Sequence, residues 1–348
     1  MRLDRPVAVR AACIPPRGHR DSRSESQPAR FMALMPGGAV RVRGLGLALF
    51  IGLFAAPSLA ADFELIVLGA AQDGGLPHLG CERACCVTAR ATGAGEDPTC
   101  LAVHDRETGS LVLLEATPRI ETQIARLHAL TGITGRHRQP VDAVLLTHAH
   151  MGHYLGLAHF GFEVASTKSL PVWGSERMCD YLGTNGPWSQ LVRMEQLVPR
   201  AFDPGVPFSP VAGLSVIAIP VPHRDEYTDT GAYKLTGGRG TVLFVPDVDR
   251  WDRHDDLLER LLEGVDVAYL DATFYDGREL PERNLKDIPH PLMVDTMDRL
   301  QDVARERPGA IRFIHLNHTN PALTDSTIRA GVEARGFGIA RTGDRLPF

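Results

Sequence analysis

Short apolar runs recur along this chain, and many of them stop at a residue with metal-binding chemistry. Phe63–Gly69 is nearly all apolar and of strand length, and residues 70–75 (Ala-Ala-Gln-Asp-Gly-Gly) read as a turn leaving it. Residues 100–104 and 111–115 predict two more strands hinged at Thr108-Gly109. A helix follows over about 118–130, with Ile120, Ile124, Leu127 and Leu130 on one face. Beyond the next strand, residues 154–160 predict a short helix, 170–173 a strand and 176–182 a helix. Residues 184–188 predict a loop whose Trp188 could form the lip of a pocket. The second half alternates in the same way. Strands over 214–221, 242–245, 265–270 and 311–314 are interleaved with helices over 256–262, 291–305 and 324–335. Gly237-Gly238-Arg239-Gly240 reads as a hairpin turn.

The strand at 141–147 carries the densest chemistry. It runs into Thr147-His148-Ala149-His150-Met151-Gly152-His153. On extended backbone, residues two apart point the same way, so His148 and His150 converge, and Gly152 lets the chain turn to bring in His153. Neutral imidazole is a common ligand for zinc and similar ions, and three histidines in six positions predict a metal site. The four later strands end in His223, Asp247, Asp271 and His315. Any one of these has a plain explanation in turn chemistry, but the series predicts strand ends gathered at one edge.

Composition changes the picture at the N-terminus. Residues 1–34 are rich in Arg, Pro and Ser without periodicity, and read as a disordered or upstream extension. Residues 35–60 carry Arg41 and Arg43, an apolar run over 44–56, and small residues at Ser58 and Ala60. This is the layout of a secretory signal peptide cleaved after about Ala60, and the apolar run is short for a membrane span. The expectation is a periplasmic or secreted protein of residues 61–348, with no stable membrane insertion after cleavage. The leader holds nine Arg against Asp4, Asp21 and Glu25. The remaining 28 basic and 39 acidic residues give net −11, which disfavours nucleic acid as a partner and leaves a small-molecule substrate. Its 288 residues suffice for one large α/β domain or two small ones. His78, Cys81, Cys85 and Cys86 have the residue types of a structural zinc knuckle, with a disulfide or free thiols as the alternatives. No glycine-rich phosphate loop or Gly-x-Ser-x-Gly elbow is present.

Taken together, these motifs resemble the metallo-β-lactamase fold superfamily. His148-Ala149-His150-Met151-Gly152-His153 matches its His-x-His-x-Asp-His signature, and His223, Asp247 and His315 match its later ligands in order. The opening Leu68-Gly69-Ala70-Ala71 with its Gly-Gly and Cys-rich continuation is similar to the coenzyme PQQ synthesis protein B group. So is the closing His315-Leu316-Asn317-His318-Thr319-Asn320-Pro321. The resemblance implies a single α/β domain built as a four-layer αββα sandwich, with the site where the sheets meet. It also implies one or two divalent metal ions, with zinc expected first and iron or manganese as alternatives.

One position departs from the pattern. Gly152 stands where the superfamily has the carboxylate that binds the second metal. The outcomes left open are a single ion, a weaker second one, or a substitute carboxylate from Asp225 or Glu226. The resemblance assigns His148, His150 and His223 to one ion and His153 and His315 to another, with His318 as a second candidate for the His315 role. Asp247 is expected to bridge, and Asp271 to orient a ligand histidine. His290 is a candidate donor to a substrate oxyanion, with a surface histidine as the alternative, and Arg224 could meet an anionic group. The leading functional expectation is an exported hydrolase using metal-bound hydroxide on an ester, lactone, amide or phosphodiester. The alternatives are metal-dependent oxidation or handling of a PQQ precursor, and a non-catalytic binding protein on the same fold.

Overall fold

The computed structural model describes residues 62–254, 256–281, 284 and 288–348. The expected extension (1–34) and the signal peptide (35–60) with its cleavage point lie outside the described residues.

Two sheets stack face to face. The first is ordered β13-β1-β2-β3-β4-β5-β6, from Arg345–Pro347, Phe63–Gly69, Cys100–Asp105, Leu111–Leu114, Ala143–Leu145, Leu170–Gly174 and Leu197–Ala201. The second is ordered β12-β11-β10-β9-β8-β7, from Gly338–Ile339, Ile311–Ile314, Val267–Asp271, Thr241–Val245, Thr230–Thr236 and Ser215–Val221.

The inner strands are apolar on both faces because both faces are covered. On β1, Phe63, Leu65 and Val67 enter the layer between the sheets, while Ile66 and Leu68 point out towards helices. On β9, Val242 and Phe244 face inward and Leu243 and Val245 outward. Helix α2 (Ile120–Thr131) lays Ile120 and Leu127 on the outer face of the first sheet, and Gly132 ends it in the left-handed conformation (φ 71). Helices α6 (Leu257–Leu262), α7 (Met293–Arg299), α8 (Gln301–Glu306) and α9 (Ser326–Ala334) cover the second sheet. The expected four-layer αββα sandwich is therefore present, as one domain.

Strand direction places the site. Strands β1 and β3 both run antiparallel to β2, and β3 is parallel to β4, so these three end on one side. Strands β7 and β9 both run antiparallel to β8, and β9, β10 and β11 are parallel, so these four also share an end.

Two local expectations need correction. The chain over 184–188 does not offer Trp188 as a lip. Trp188 begins a short helix, α5 (Trp188–Arg193), and is 7 % exposed among Tyr154, Leu157 and Leu191, because its indole closes the core against the first sheet. The single helix expected over 291–305 is two, parted at Leu300.

Candidate metal centre

The residues after the strand ends meet at one buried point. His148 and His150 follow β4, His150 on extended backbone, and His153 lies in the single turn α3 (Met151–Tyr154), where His153 N–H donates to the His150 carbonyl (2.9 Å). His223 follows β7, Asp247 follows β9, Asp271 ends β10 and His315 follows β11.

Asp247 sits between two sets of imidazoles. Its Oδ1 is 3.3 Å from His223 Nε2, and its Oδ2 is 3.4 Å from His148 Nε2. The same Oδ2 is 3.6 Å from His153 Nε2 and 3.9 Å from His315 Nε2. One set is thus His148, His150 and His223 with Asp247, and the other contains His153 and His315. His148 Nε2 and His150 Nδ1 converge to 2.8 Å.

A polar group stands behind each imidazole, within hydrogen-bond distance of His148, His150 and His315 and at ion-pair distance from His153 and His223. Thr147 Oγ1 is 2.9 Å from His148 Nδ1, Glu115 Oε2 is 3.7 Å from His153 Nδ1, and Asp249 Oδ1 is 3.5 Å from His223 Nδ1. Thr273 Oγ1 is 3.1 Å from His315 Nδ1 and donates to Asp271 Oδ1 (2.7 Å). Asp271 thus orients His315 through Thr273. His150 is held the other way round, donating from Nε2 to Glu226 Oε2 (2.8 Å), so that Nδ1 faces inward. Partners of this kind fix the tautomer of a metal ligand and are part of its affinity.

Charge is concentrated here. Burial, and then the neighbouring His153, hold His148 well below the usual imidazole range, and burial lowers His223 as well. Burial would raise Asp247, yet His315 and His290 outweigh it and keep the carboxylate ionised. Burial opposes charge on His153, but Glu115 and Asp73 push its pKa up to about 10.

The nitrogens His153 Nε2, His223 Nε2 and His315 Nε2 are buried without a hydrogen-bond partner, as is Asp73 Oδ1. Orphaned polar atoms at this density are costly unless something binds them all. Imidazole nitrogens with carboxylate oxygens suit zinc, manganese or iron, so the residues fit a divalent metal.

His290 is buried, not a surface histidine. Its Nδ1 lies 2.8 Å from Asp271 Oδ2 and 3.1 Å from Asp247 Oδ1, and these two carboxylates overcome burial to hold its pKa well up. Arg224 is exposed and pairs with Glu226 (3.5 Å), an ordinary surface contact.

Neither carboxylate expected as a substitute for the one absent at Gly152 reaches His153 or His315. Glu226 holds His150 from outside, and Asp225 Oδ1 lies 3.4 Å from Thr230 Oγ1. The sequence reading passed over Asp73, Glu115, Asp249 and Thr273. Of these, Asp73 and Glu115 follow the ends of β1 and β3, so the same strand-end rule that flagged Asp247 could have found them.

His318 does not compete with His315. It stacks on His78 (4.5 Å between ring centres) and groups with Cys81 and Cys86. The cysteines at 81, 85, 86, 100 and 179 are free thiols. Cys85 lies beside Cys86 (Sγ–Sγ 3.9 Å), and His78 N–H donates to Cys86 Sγ (3.2 Å).

Residues 111–315 match the family model described as the Beta-lactamase superfamily domain. Coenzyme PQQ synthesis protein B of Methylobacterium sp. (strain 4-46) is 29 % identical over 304 residues, spanning 80 % of this chain and 98 % of that protein. The structure of Zn(2+)-bound PqqB from Methylobacterium extorquens superposes with a TM-score of 0.67 at 24 % identity, over 82 % of this chain and all of that one. A diphosphatase of the PhnP family superposes with a TM-score of 0.58 at 20 % identity, over 82 % and 97 % of the two chains.

Proposed function

This chain belongs to the beta-lactamase superfamily, and from that premise we propose that it is a metal-dependent hydrolase of an ester, lactone, amide or phosphodiester. The observation that carries the reading is Asp247 standing within 4 Å of His148, His223, His153 and His315, with the buried Nε2 atoms of His153, His223 and His315 left without a hydrogen-bond partner. His148, His150, His223 and Asp247 would hold one ion, and His153 and His315 would share Asp247 towards a second. A bound ion of this kind lowers the pKa of water to about 7 and polarises a substrate oxygen.

The chain's own groups supply the rest. Asp247, kept ionised, sets the spacing between the two histidine sets. His290, held protonated by Asp271, is placed to donate a hydrogen bond to an oxyanion as it forms. Asp271 and Thr273 fix the rings of His290 and His315 and so preorganise that donor.

The test is turnover of p-nitrophenyl esters, a lactone set and bis-p-nitrophenyl phosphate by zinc- or manganese-loaded protein, beside a His148→Ala/His150→Ala double variant. Activity lost in that variant supports the reading, and a loaded protein inert across the whole set sinks it. The likeness to PQQ synthesis protein B over nearly its whole length favours a second reading, oxidation or handling of a precursor of that coenzyme. Restoration of PQQ formation in a strain lacking its own protein B would favour that reading.

Cys81, Cys86 and His318, with His78 and Cys85 beside them, are proposed as a structural zinc site. Residues 35–60 are proposed as an export signal, tested by fractionation and the N-terminal sequence of the mature protein.

A further inference from the structure

We propose that Asp73, from the loop after β1, supplies the metal-binding carboxylate that the histidine motif lacks at Gly152. The inference rests on the metal-centre reading above and adds a ligand to it.

A Cβ built on Gly152 would stand 2.6 Å from Asp73 Cα and 2.8 Å from its Cγ, with Oδ1 nearer still. The Asp73 side chain therefore fills the space that a side chain at position 152 would need. Its Oδ1 lies 3.5 Å from His153 Nε2, and Asp73, His153 and His315 form one group of convergent ligand atoms. That oxygen is buried and has no hydrogen-bond partner, like the ring nitrogens it faces.

The loop is built to hold the carboxylate there. Leu316 N–H donates to the Ala70 carbonyl (2.9 Å), and Gln72 N–H donates back to the Leu316 carbonyl (2.8 Å). Asn317 Nδ2 donates to Gln72 Oε1 (2.5 Å), and Gly75 N–H closes the turn on the Gln72 carbonyl (2.8 Å). Asp73 is thus pinned on one side to the residues that follow His315, and on the other it abuts Gly152, next to His153. It adopts φ 33, a left-handed conformation rare outside glycine, which the surrounding bonds must impose. With Asp247 shared, the second position becomes Asp73, His153, His315 and Asp247, and the first stays His148, His150, His223 and Asp247.

The experiment loads chelator-stripped protein with Mn(II), an ion that thiolates bind poorly, so that the cysteine segment does not confuse the count. Bound equivalents are measured by mass spectrometry, and magnetic coupling between ions by electron paramagnetic resonance. The parent should hold two equivalents with a coupled spectrum. Asp73→Asn should lose one, or bind it more than ~100-fold more weakly, beyond the ~10–100-fold typical of losing an outer hydrogen bond. Its spectrum should be that of isolated ions. Asp302→Asn, which removes an exposed carboxylate on α8, should keep both ions. Circular dichroism establishes folding, with Asp73→Ser as a second variant should Asp73→Asn not fold.

An Asp73→Asn protein that keeps the parent's count, affinity and coupling overturns the assignment while leaving the metal centre intact. A His148→Ala/His150→Ala protein that keeps both ions at parental affinity overturns the metal-centre reading, and the Asp73 assignment with it.

Discussion

Glu115 Oε2 lies 3.7 Å from His153 Nδ1, and neither side chain is more than 2 % exposed. Glu115 holds a left-handed backbone (φ 73), so the chain accepts strain to place a carboxylate behind this histidine. In the metal-free protein, Glu115 and Asp73 hold His153 at about 10, against an ordinary value of 6.5. The folded state then binds this proton more tightly than the unfolded chain. Its stabilising contribution is complete below about pH 6.5 and is lost as pH rises towards 10. Thermal unfolding of chelator-stripped protein should show that loss across this window, and Glu115→Gln should flatten it. Equal slopes for the two proteins would contradict the coupling. A ligand histidine must be neutral, so metal loading at neutral pH should also release a proton, about one more in the parent than in Glu115→Gln.

His290 offers a prediction about catalysis beside the metal ligands, its Nδ1 lying 3.1 Å from Asp247 Oδ1. It belongs to neither the His148 nor the His153 set in the proposed assignment, and Asp271 at 2.8 Å fixes its ring. His290→Gln should lower kcat by roughly 10²–10³-fold, the scale of one lost oxyanion donor, with KM and metal content little changed. Steady-state kinetics beside elemental analysis decide it. Loss of metal in step with activity would make His290 a ligand instead.

Most of this centre was legible because one rule held: strands ending in ligand-type side chains. The rule located His148, His150, His153, His223, Asp247, Asp271 and His315 and predicted that they share an edge. It was not carried back to β1 and β3, where Asp73 and Glu115 follow the strand ends in the same way. Asp73 was hidden by its setting, because Asp-Gly-Gly after a strand reads as turn chemistry. Its role depends on a space left 79 residues away by Gly152, and no local pattern encodes that relation. Trp188 was misread for a similar reason. A tryptophan after Asn-Gly-Pro looks like a loop tip until Tyr154 and Tyr181 are seen packed on it.

Gly152 itself should be intolerant of any side chain. The nearest obstacle to a Cβ includes the Asp73 backbone, which cannot rotate away as a flexible side-chain end would. Gly152→Ala should cost ~1–3 kcal/mol, the usual range for overpacking, and should weaken the second metal by displacing Asp73. Denaturant unfolding and metal titration test the two effects. Gly152→Asp, which restores the superfamily motif on paper, should be no better tolerated than Gly152→Ala. A Gly152→Asp protein of parental stability would show that the loop moves aside freely.

Cys86 should report on the cysteine cluster alone. Burial pushes its metal-free thiol up to about 11, and burial beside His78 and Arg83 takes His318 down to about 4. Both groups are therefore neutral at pH 7 without metal, and zinc binding there must expel the thiol proton. Cys86→Ser should remove about one zinc equivalent and lower Tm, while manganese loading and turnover at the histidine centre persist. Unchanged zinc content would return the cysteines to the role of buried free thiols.

Tyr233 ties the two sheets together beneath the metal centre. Its hydroxyl, fully buried on β8, donates to the Leu146 carbonyl (2.5 Å), two residues before His148. Tyr233→Phe keeps the ring and its packing but leaves that carbonyl without this partner in a dry layer, at a cost of ~1–3 kcal/mol. The loss should lower Tm by a few degrees, and it should also loosen the backbone from which His148 and His150 project. Metal release to a competing chelator should therefore speed up in Tyr233→Phe. A core variant of matched stability loss outside the ligand set, such as Met297→Ala on the buried face of α7, should release metal at the parental rate. Equal acceleration in both variants would reduce the Tyr233 effect to general destabilisation. Acceleration in Tyr233→Phe alone would show that the inter-sheet hydrogen bond positions the ligand loop.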